Sequence, residues 1–151
     1  MADPVVVAPA HFPPSASLDG GYLWLGPVGA ASHLDGRWDA TIGGDLTLVR
    51  IAEAAPLSVV GGSLGAARWS IRDGGRVWLD AVAGTHVLGH PIGATLGPLV
   101  ELATLAHPHL GGEIGVWAFV GITPYARVGY VDGLGSFAEV GLHIALPVWR
   151  R

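Results

Sequence analysis

Residues 135–149, Gly-Ser-Phe-Ala-Glu-Val-Gly-Leu-His-Ile-Ala-Leu-Pro-Val-Trp, decide the fold. Side chains on a β-strand alternate between two faces, so residues two apart lie on the same side. One face of this stretch is aliphatic and comprises Ala138, Val140, Leu142, Ile144, Leu146 and Val148. The other face is mixed and comprises Phe137, Glu139, Gly141, His143, Ala145 and Pro147. The stretch therefore predicts a β-strand with one apolar and one partly polar face.

The same alternation recurs toward the N-terminus, in segments of roughly ten residues. It is clear in Trp38–Arg50, Arg76–Val87, Ile92–Leu105, Gly112–Val120 and Pro124–Val131, and weaker near 22–33 and 57–71. Seven turn signals separate the segments, among them Asp35-Gly36, His107-Pro108-His109 and Asp132-Gly133. Asp-Gly between apolar runs is typical of tight hairpins, because both central residues of a type I′ turn need positive φ. Seven turns predict eight strands.

Composition indicates where the aliphatic faces point. Half of the 151 residues are hydrophobic and only 13% are charged, against about 25% in a typical soluble domain. Apolar runs are short and are interrupted by 24 glycines and 11 prolines, so they cannot be transmembrane helices, which need about 18 or more apolar residues. We therefore predict an all-β fold, an eight-stranded antiparallel up-and-down transmembrane β-barrel with short turns at both ends. The barrel is expected over residues 21–149, preceded by an extended, Pro-rich N-terminal arm over residues 1–20.

In a transmembrane barrel the aliphatic face meets lipid and the polar face lines the lumen. The lipid-facing residues predicted for the last strand are Ala138, Val140, Leu142, Ile144 and Leu146. The lumen is expected to hold an ion-pair network, because buried charges are costly unless they are paired. Its predicted members are Asp39, Asp45, Arg68, Arg76, Asp80, Glu101, Glu113, Arg127, Glu139 and His143. Arg127 is the expected centre, in contact with Glu113 or Glu139.

Three functions fit this pattern. The first is a structural or scaffold barrel with a packed polar lumen and no enzymatic activity. The second is a soluble barrel of the lipocalin or avidin kind, with the aliphatic face inside and a small apolar ligand bound there. The third is a narrow pore, although eight strands leave little open lumen. A barrel enzyme acting on lipid would need a serine or histidine near the outer rim, and His33 is the only loose candidate for that position.

Other sites and partners are not indicated by the residues present. No serine lies in a nucleophile-elbow sequence, so we predict no catalytic site and no cofactor. The histidine pairs His86/His90 and His107/His109 are expected at opposite barrel ends, so we predict no metal site. A net charge of −4 argues against nucleic acid as a partner. The expected partners are membrane lipid or detergent, and the expected state is a monomer. Trp38, Trp69, Tyr130 and Trp149 are expected near the membrane interfaces, and Trp24, Trp78 and Trp117 in the lumen.

Residues 121–130, Gly-Ile-Thr-Pro-Tyr-Ala-Arg-Val-Gly-Tyr, together with residues 135–149, resemble the closing hairpin of small Gram-negative outer-membrane β-barrel proteins, the OmpA-like and OmpX-like eight-stranded group. The resemblance is one of pattern over residues 21–149. It implies location in the bacterial outer membrane and therefore a mature form from which a signal peptide has been removed. Trp149 corresponds to the near-terminal aromatic of that group, but Arg150 and Arg151 follow it. The short turns depart from the long loops of the group and make loop-borne functions such as adhesion unexpected.

Overall fold

The computed structural model describes residues 18–86, 90–104 and 107–151, with the side chains of residues 103 and 104 excepted. Residues 1–17 of the predicted arm lie outside the described part, and the last residue of that arm, Gly20, already belongs to the first strand. Within the described residues, no helix has the length and hydropathy needed to cross a membrane.

The chain folds into successive antiparallel strands connected by short segments. The strands are β1 (Gly20–Leu34), β2 (Arg37–Ile51), β3 (Val59–Trp69), β4 (Gly75–Thr85), β5 (Ile92–Thr104), β6 (His107–Ala118), β7 (Thr123–Val131), β8 (Gly135–His143) and β9 (Leu146–Arg150). Each strand pairs with the next along the sequence from β1 to β8, as expected for hairpins with tight connections. The Asp35-Gly36 turn has φ of 53° and 71°, the left-handed conformation that this dipeptide favours.

Strands β8 and β9 are two parts of one long strand that closes the barrel. Both pair with β1, and the pairs Val28–His143 and Leu25–Leu146 keep one register across the gap between them. A bulge follows, and it places Trp149 opposite Leu23. Because β1 also pairs with β2, the sheet closes on itself. The structure is thus the predicted all-β, closed, eight-stranded antiparallel up-and-down barrel.

The two ends of the barrel differ. The end that holds Gly20 and Arg150, here called the terminal end, also carries the connections β2–β3, β4–β5 and β6–β7. The opposite end, here called the turn end, holds Leu34 and Gly75 and carries the other four connections. The predicted turn at residues 107–109 is wrong: these residues begin β6, and His107 pairs with Thr104. The two strands therefore extend further toward the turn end than their sequence indicates.

Buried apolar side chains form one cluster at each end of the interior. The cluster at the turn end contains Leu34, Leu99, Val131 and Phe137, none of which is more than 3% exposed. The cluster at the terminal end comprises Tyr22, Val49, Val59 and Val82, with Trp24, Ile51 and Trp117 packed against it. Charged side chains share the turn end with the first cluster, since Arg76 lies against the Phe137 ring and Trp69 donates to Glu101.

Candidate functional site: the polar interior of the barrel

The structure places nine of the ten predicted lumen residues on the inner face of the barrel. Asp39, Asp45, Arg76, Asp80, Glu101, Glu113, Arg127 and Glu139 are between 1% and 7% exposed. His143 is half-buried on the same face. Charged groups this deeply buried require partners, since removing an ion from water costs several kcal/mol.

Arg68 is the exception, and its assignment to the interior needs correction. It is exposed on the outer face of β3, beside the exposed Ile42 of β2. The sequence of β3 contains the adjacent pairs Val59-Val60 and Gly61-Gly62, which leave the inner face undefined by alternation. The neighbouring Trp69 faces inward instead and is 4% exposed, although the sequence placed it in the outer aromatic belt.

Arg127 lies at the centre of one part of the interior network. Its Nη1 donates a hydrogen bond to Glu113 Oε1 at 2.8 Å, and its Nε donates to Glu139 Oε1 at 2.7 Å. Arg127 and Glu139 are directly opposite each other in the β7–β8 ladder, so strand register alone brings them together. The guanidinium carbon also lies 4.4 Å from the centre of the Trp78 ring, which adds a cation–π contact.

Arg76 joins this group to the other side of the barrel. Its Nε donates to Glu101 Oε2 on the adjacent strand, and its Nη1 donates to Glu139 Oε2, each at 2.9 Å. The second bond crosses the lumen from β4 to β8. Trp69 Nε1 donates to Glu101 Oε1, and the Phe137 ring lies 4.0 Å from the Arg76 guanidinium. Glu113, Arg127, Glu139, Arg76 and Glu101 therefore form one continuous chain of ion pairs, here called the interior network.

Two aspartates are held apart from the interior network. Asp45 accepts hydrogen bonds from the hydroxyl groups of Thr47 and Ser63, and its Oδ1 lies 3.8 Å from His143 Nε2. Asp39, near the turn end, accepts from the backbone N–H groups of residues 71 and 72. Its carboxylate also pairs with the Arg72 side chain at 3.5 Å. Asp39 thus fixes the β3–β4 turn instead of bridging the lumen.

Inward-facing glycines make room for the interior aromatic rings. Four ladder pairs on the inner face set a glycine directly opposite an aromatic residue: Gly65–Trp78, Gly93–Trp117, Gly129–Phe137 and Gly141–Tyr125. At Gly65 an added Cβ would lie 2.1 Å from the Trp78 ring. The ring therefore lies across the glycine of the adjacent strand. The sequence does not reveal these pairs until the register of both strands is known.

The outer face carries the residues predicted for lipid contact. Ala138 is exposed, and Val140, Leu142, Ile144 and Leu146 are 46–56% exposed. They keep one direction because the register is continuous from β8 into β9. Within the described residues, no cluster of three or more histidine, aspartate or glutamate side chains has the arrangement of a metal site.

Comparison with known proteins identifies the fold and not the sequence family. No protein-family model and no curated protein matches the chain. Among solved structures, the chain is similar to Neisserial surface protein A (NspA), with a TM-score of 0.51 and 11% identity over 85% of this chain and 97% of that chain. It also matches Ail, the attachment invasion locus protein of Yersinia pestis, with a TM-score of 0.40 and 16% identity over 85% of this chain and 99% of that chain. The chain therefore has the small, closed, eight-stranded up-and-down barrel fold that is also found in NspA.

Proposed function

We propose that this chain is a structural barrel of the bacterial outer membrane, with a closed, packed lumen and no enzymatic activity. The observation that carries the proposal is the distribution of polarity, with aliphatic side chains outside and charges inside. This is the inverse of a water-soluble barrel. The similarity of the fold to that of a surface protein of Neisseria supports the same conclusion.

The apolar outer surface is continuous around the barrel. Each of the strands β1 to β8 contributes at least one outward aliphatic residue, and their exposed fractions reach 71% at Leu110. Soluble monomers rarely expose contiguous apolar patches larger than a few hundred Å². The outward charges of β2 and β3, Arg50 and Arg68, are each the penultimate residue of their strand. They lie at opposite barrel ends, where polar headgroups would solvate them.

Exposed aromatic rings at the ends fit the same orientation in a bilayer. Trp38 and Tyr130 lie near the turn end, and Trp149 lies near the terminal end, with exposed fractions of 64%, 60% and 48%. Amphipathic rings favour the membrane–water interface. A soluble calyx would instead place such rings and the aliphatic residues around an internal ligand. The outer surface therefore favours lipid over water as the solvent of the barrel wall.

The interior favours a scaffold over a pore. The bond between Arg76 and Glu139 spans the lumen, and Phe137 of the turn-end cluster packs against the Arg76 guanidinium. Glu101 and Glu139 are both engaged by arginine, so neither is available as a general acid or base. We therefore assign the interior network to holding the wall in shape.

The test is refolding combined with conductance. The chain, unfolded in urea, should gain a β-type circular dichroism spectrum when it is diluted into maltoside micelles or phospholipid vesicles. In plain buffer it should aggregate, because the outer surface is apolar. A folded, monodisperse protein in plain buffer would contradict the proposal and favour the soluble calyx.

Refolded protein in a planar lipid bilayer should produce no current steps. Reproducible single-channel steps would contradict the closed lumen and favour the narrow pore. Measurement of its mass in detergent should show a monomer, and fractionation of a Gram-negative host should recover it with the outer membrane.

A further inference from the structure

A cavity of about 100 Å³ lies inside the barrel, between the interior network and the terminal end. Its deepest lining residues include Trp78 and Arg127, and the lining residues nearest the terminal end include Phe119, Thr123 and Ala145. A single buried water molecule needs only about 10–15 Å³ of cavity volume. The cavity therefore has room for a small organic molecule.

The cavity wall combines aromatic rings with carboxylates. Trp24, Trp117 and Tyr125 line it together with Asp45 and Asp80. The faces of tryptophan and tyrosine rings attract cations through their quadrupole. A carboxylate beside such rings is the combination that recognises an ammonium group.

Three buried polar atoms in this wall lack a hydrogen-bond partner among the described residues: Asp80 Oδ1, Trp117 Nε1 and His143 Nε2, the last of which lies 3.8 Å from Asp45 Oδ1. Asp80 is 5% exposed, its Oδ1 has no donor, and the neighbouring carboxyl group of Glu113 has an unpartnered oxygen as well. Trp117 Nε1 is likewise unpartnered. A buried unpaired acceptor on a charged group is strongly unfavourable, so Asp80 calls for a donor and Trp117 for an acceptor.

The charge balance of the interior also favours a bound cation. Asp45, Asp80, Glu101, Glu113 and Glu139 contribute five carboxyl groups, and Arg76 and Arg127 contribute two guanidinium groups, so the formal charge is −3 when every carboxyl group is ionised and His143 is neutral. Asp39 is outside this count because Arg72 pairs with it. Arg127, although it lines the cavity, is already engaged by two glutamates. The interior is thus short of positive charge on the side where the cavity lies.

An organic cation fits this site better than a metal ion. In the described part of the chain, no three carboxylate or histidine side chains converge as metal ligands would. A small metal ion is solvated better by water than by aromatic rings. An alkylated ammonium group, in contrast, is stabilised by contact with the faces of such rings.

We propose that this cavity binds a small organic cation of the size of choline, with the ammonium group against Asp80 and the aromatic walls, and a hydroxyl group near Trp117. This goes beyond the structural role proposed above, because a barrel with a closed lumen can serve as a scaffold whether or not this cavity is occupied.

The test is titration of the full chain, refolded in maltoside micelles, which carry no choline group. Choline chloride is compared with 3,3-dimethyl-1-butanol, its neutral analogue of the same shape, at ionic strength fixed with sodium chloride. Isothermal calorimetry and tryptophan fluorescence report binding. Choline should bind at least about tenfold more tightly than the neutral analogue.

Two variants locate the site. Asp80→Asn should weaken choline binding about tenfold or more, whereas Asp73→Asn, which removes the same charge from an exposed turn at the other end, should leave it unchanged. If Asp80→Asn does not fold, Val82→Phe fills the cavity while keeping every carboxylate and should abolish binding. Equal binding of choline and the neutral analogue, absence of binding, or equal effects of the two aspartate variants would overturn the proposal. So would complete displacement of choline by sodium, since that would reveal a simple counterion.

Discussion

Replacing Arg127 with methionine should destabilise the barrel by about 3–5 kcal/mol, the usual cost of removing one partner from a buried ion pair. Methionine keeps much of the length of the side chain and removes the charge. In the native protein Arg127 is 6% exposed and donates to Glu113 and Glu139. The five members of the interior network carry three negative and two positive charges, a formal −1, which becomes −2 in the variant.

The structure also predicts which second substitution restores stability. In the Arg127→Met variant, the second substitution Glu113→Gln returns the formal charge of the network to −1, and the bond that Glu113 accepted from an arginine has already been lost. Glu139→Gln restores the same net charge, but Glu139 also accepts from Arg76 across the lumen. The first double variant should therefore recover more stability than the second.

The assay is reversible urea unfolding in phospholipid vesicles, followed by tryptophan fluorescence, on a double-mutant cycle that includes each single variant. The single variants Glu113→Gln and Glu139→Gln are the matched controls, because they remove a charge while leaving Arg127 in place. A cost for Arg127→Met below about 1 kcal/mol would refute the reasoning, since that is the value of an exposed pair. Equal recovery by the two double variants would show that charge alone matters and that the bond across the lumen does not.

Two further substitutions test the outer face and the packing of the interior. Leu142 faces outward near the middle of the last strand. Its replacement by arginine should lower the free energy of unfolding in vesicles by about 2–4 kcal/mol. Ala138→Arg, nearer the turn end, should cost about 0–1 kcal/mol, and equal costs would show that depth in the bilayer is irrelevant. Gly65→Ala brings a methyl group within 2.1 Å of the Trp78 ring and should cost about 1–3 kcal/mol in the same assay. Its control is Gly44→Ala, where the nearest atom is 3.6 Å away, and a comparable loss at both positions would remove the packing explanation.

The strands whose sequence alternates strictly could be assigned without a structure. In the last strand every second residue is aliphatic, so the inner position of Glu139 follows from its neighbours, and the pairing with Arg127 follows from adjacent strands. The pairing of Arg76 with Glu139 could not be predicted in this way. It joins strands that are not adjacent and depends on how the closed wall curves.

The prediction of inward and outward residues is wrong in β3, where apolar and polar residues do not alternate. In β3 the doubled valines and glycines fit either face, and the positions of Arg68 and Trp69 were consequently exchanged. A buried carboxylate needs a donor, and the indole of Trp69 supplies one to Glu101. The inward position of Trp69 therefore depends on the need of Glu101, on another strand, for a hydrogen-bond donor. The sequence of β3 alone does not contain this information.

The hydrogen bond between Arg76 and Glu139 connects residues 63 positions apart, and it has a consequence for the order of folding. Hairpins form quickly because their contacts are local, whereas closure of β1 on β8 must join the two ends of the chain. Glu139 belongs to the strand that closes the barrel, so its contact with Arg76 forms only when the wall is nearly complete. Interactions absent from the transition state govern the rate of escape from the folded state. We therefore expect substitution of Glu139 to speed the opening of a closed barrel more than it slows assembly.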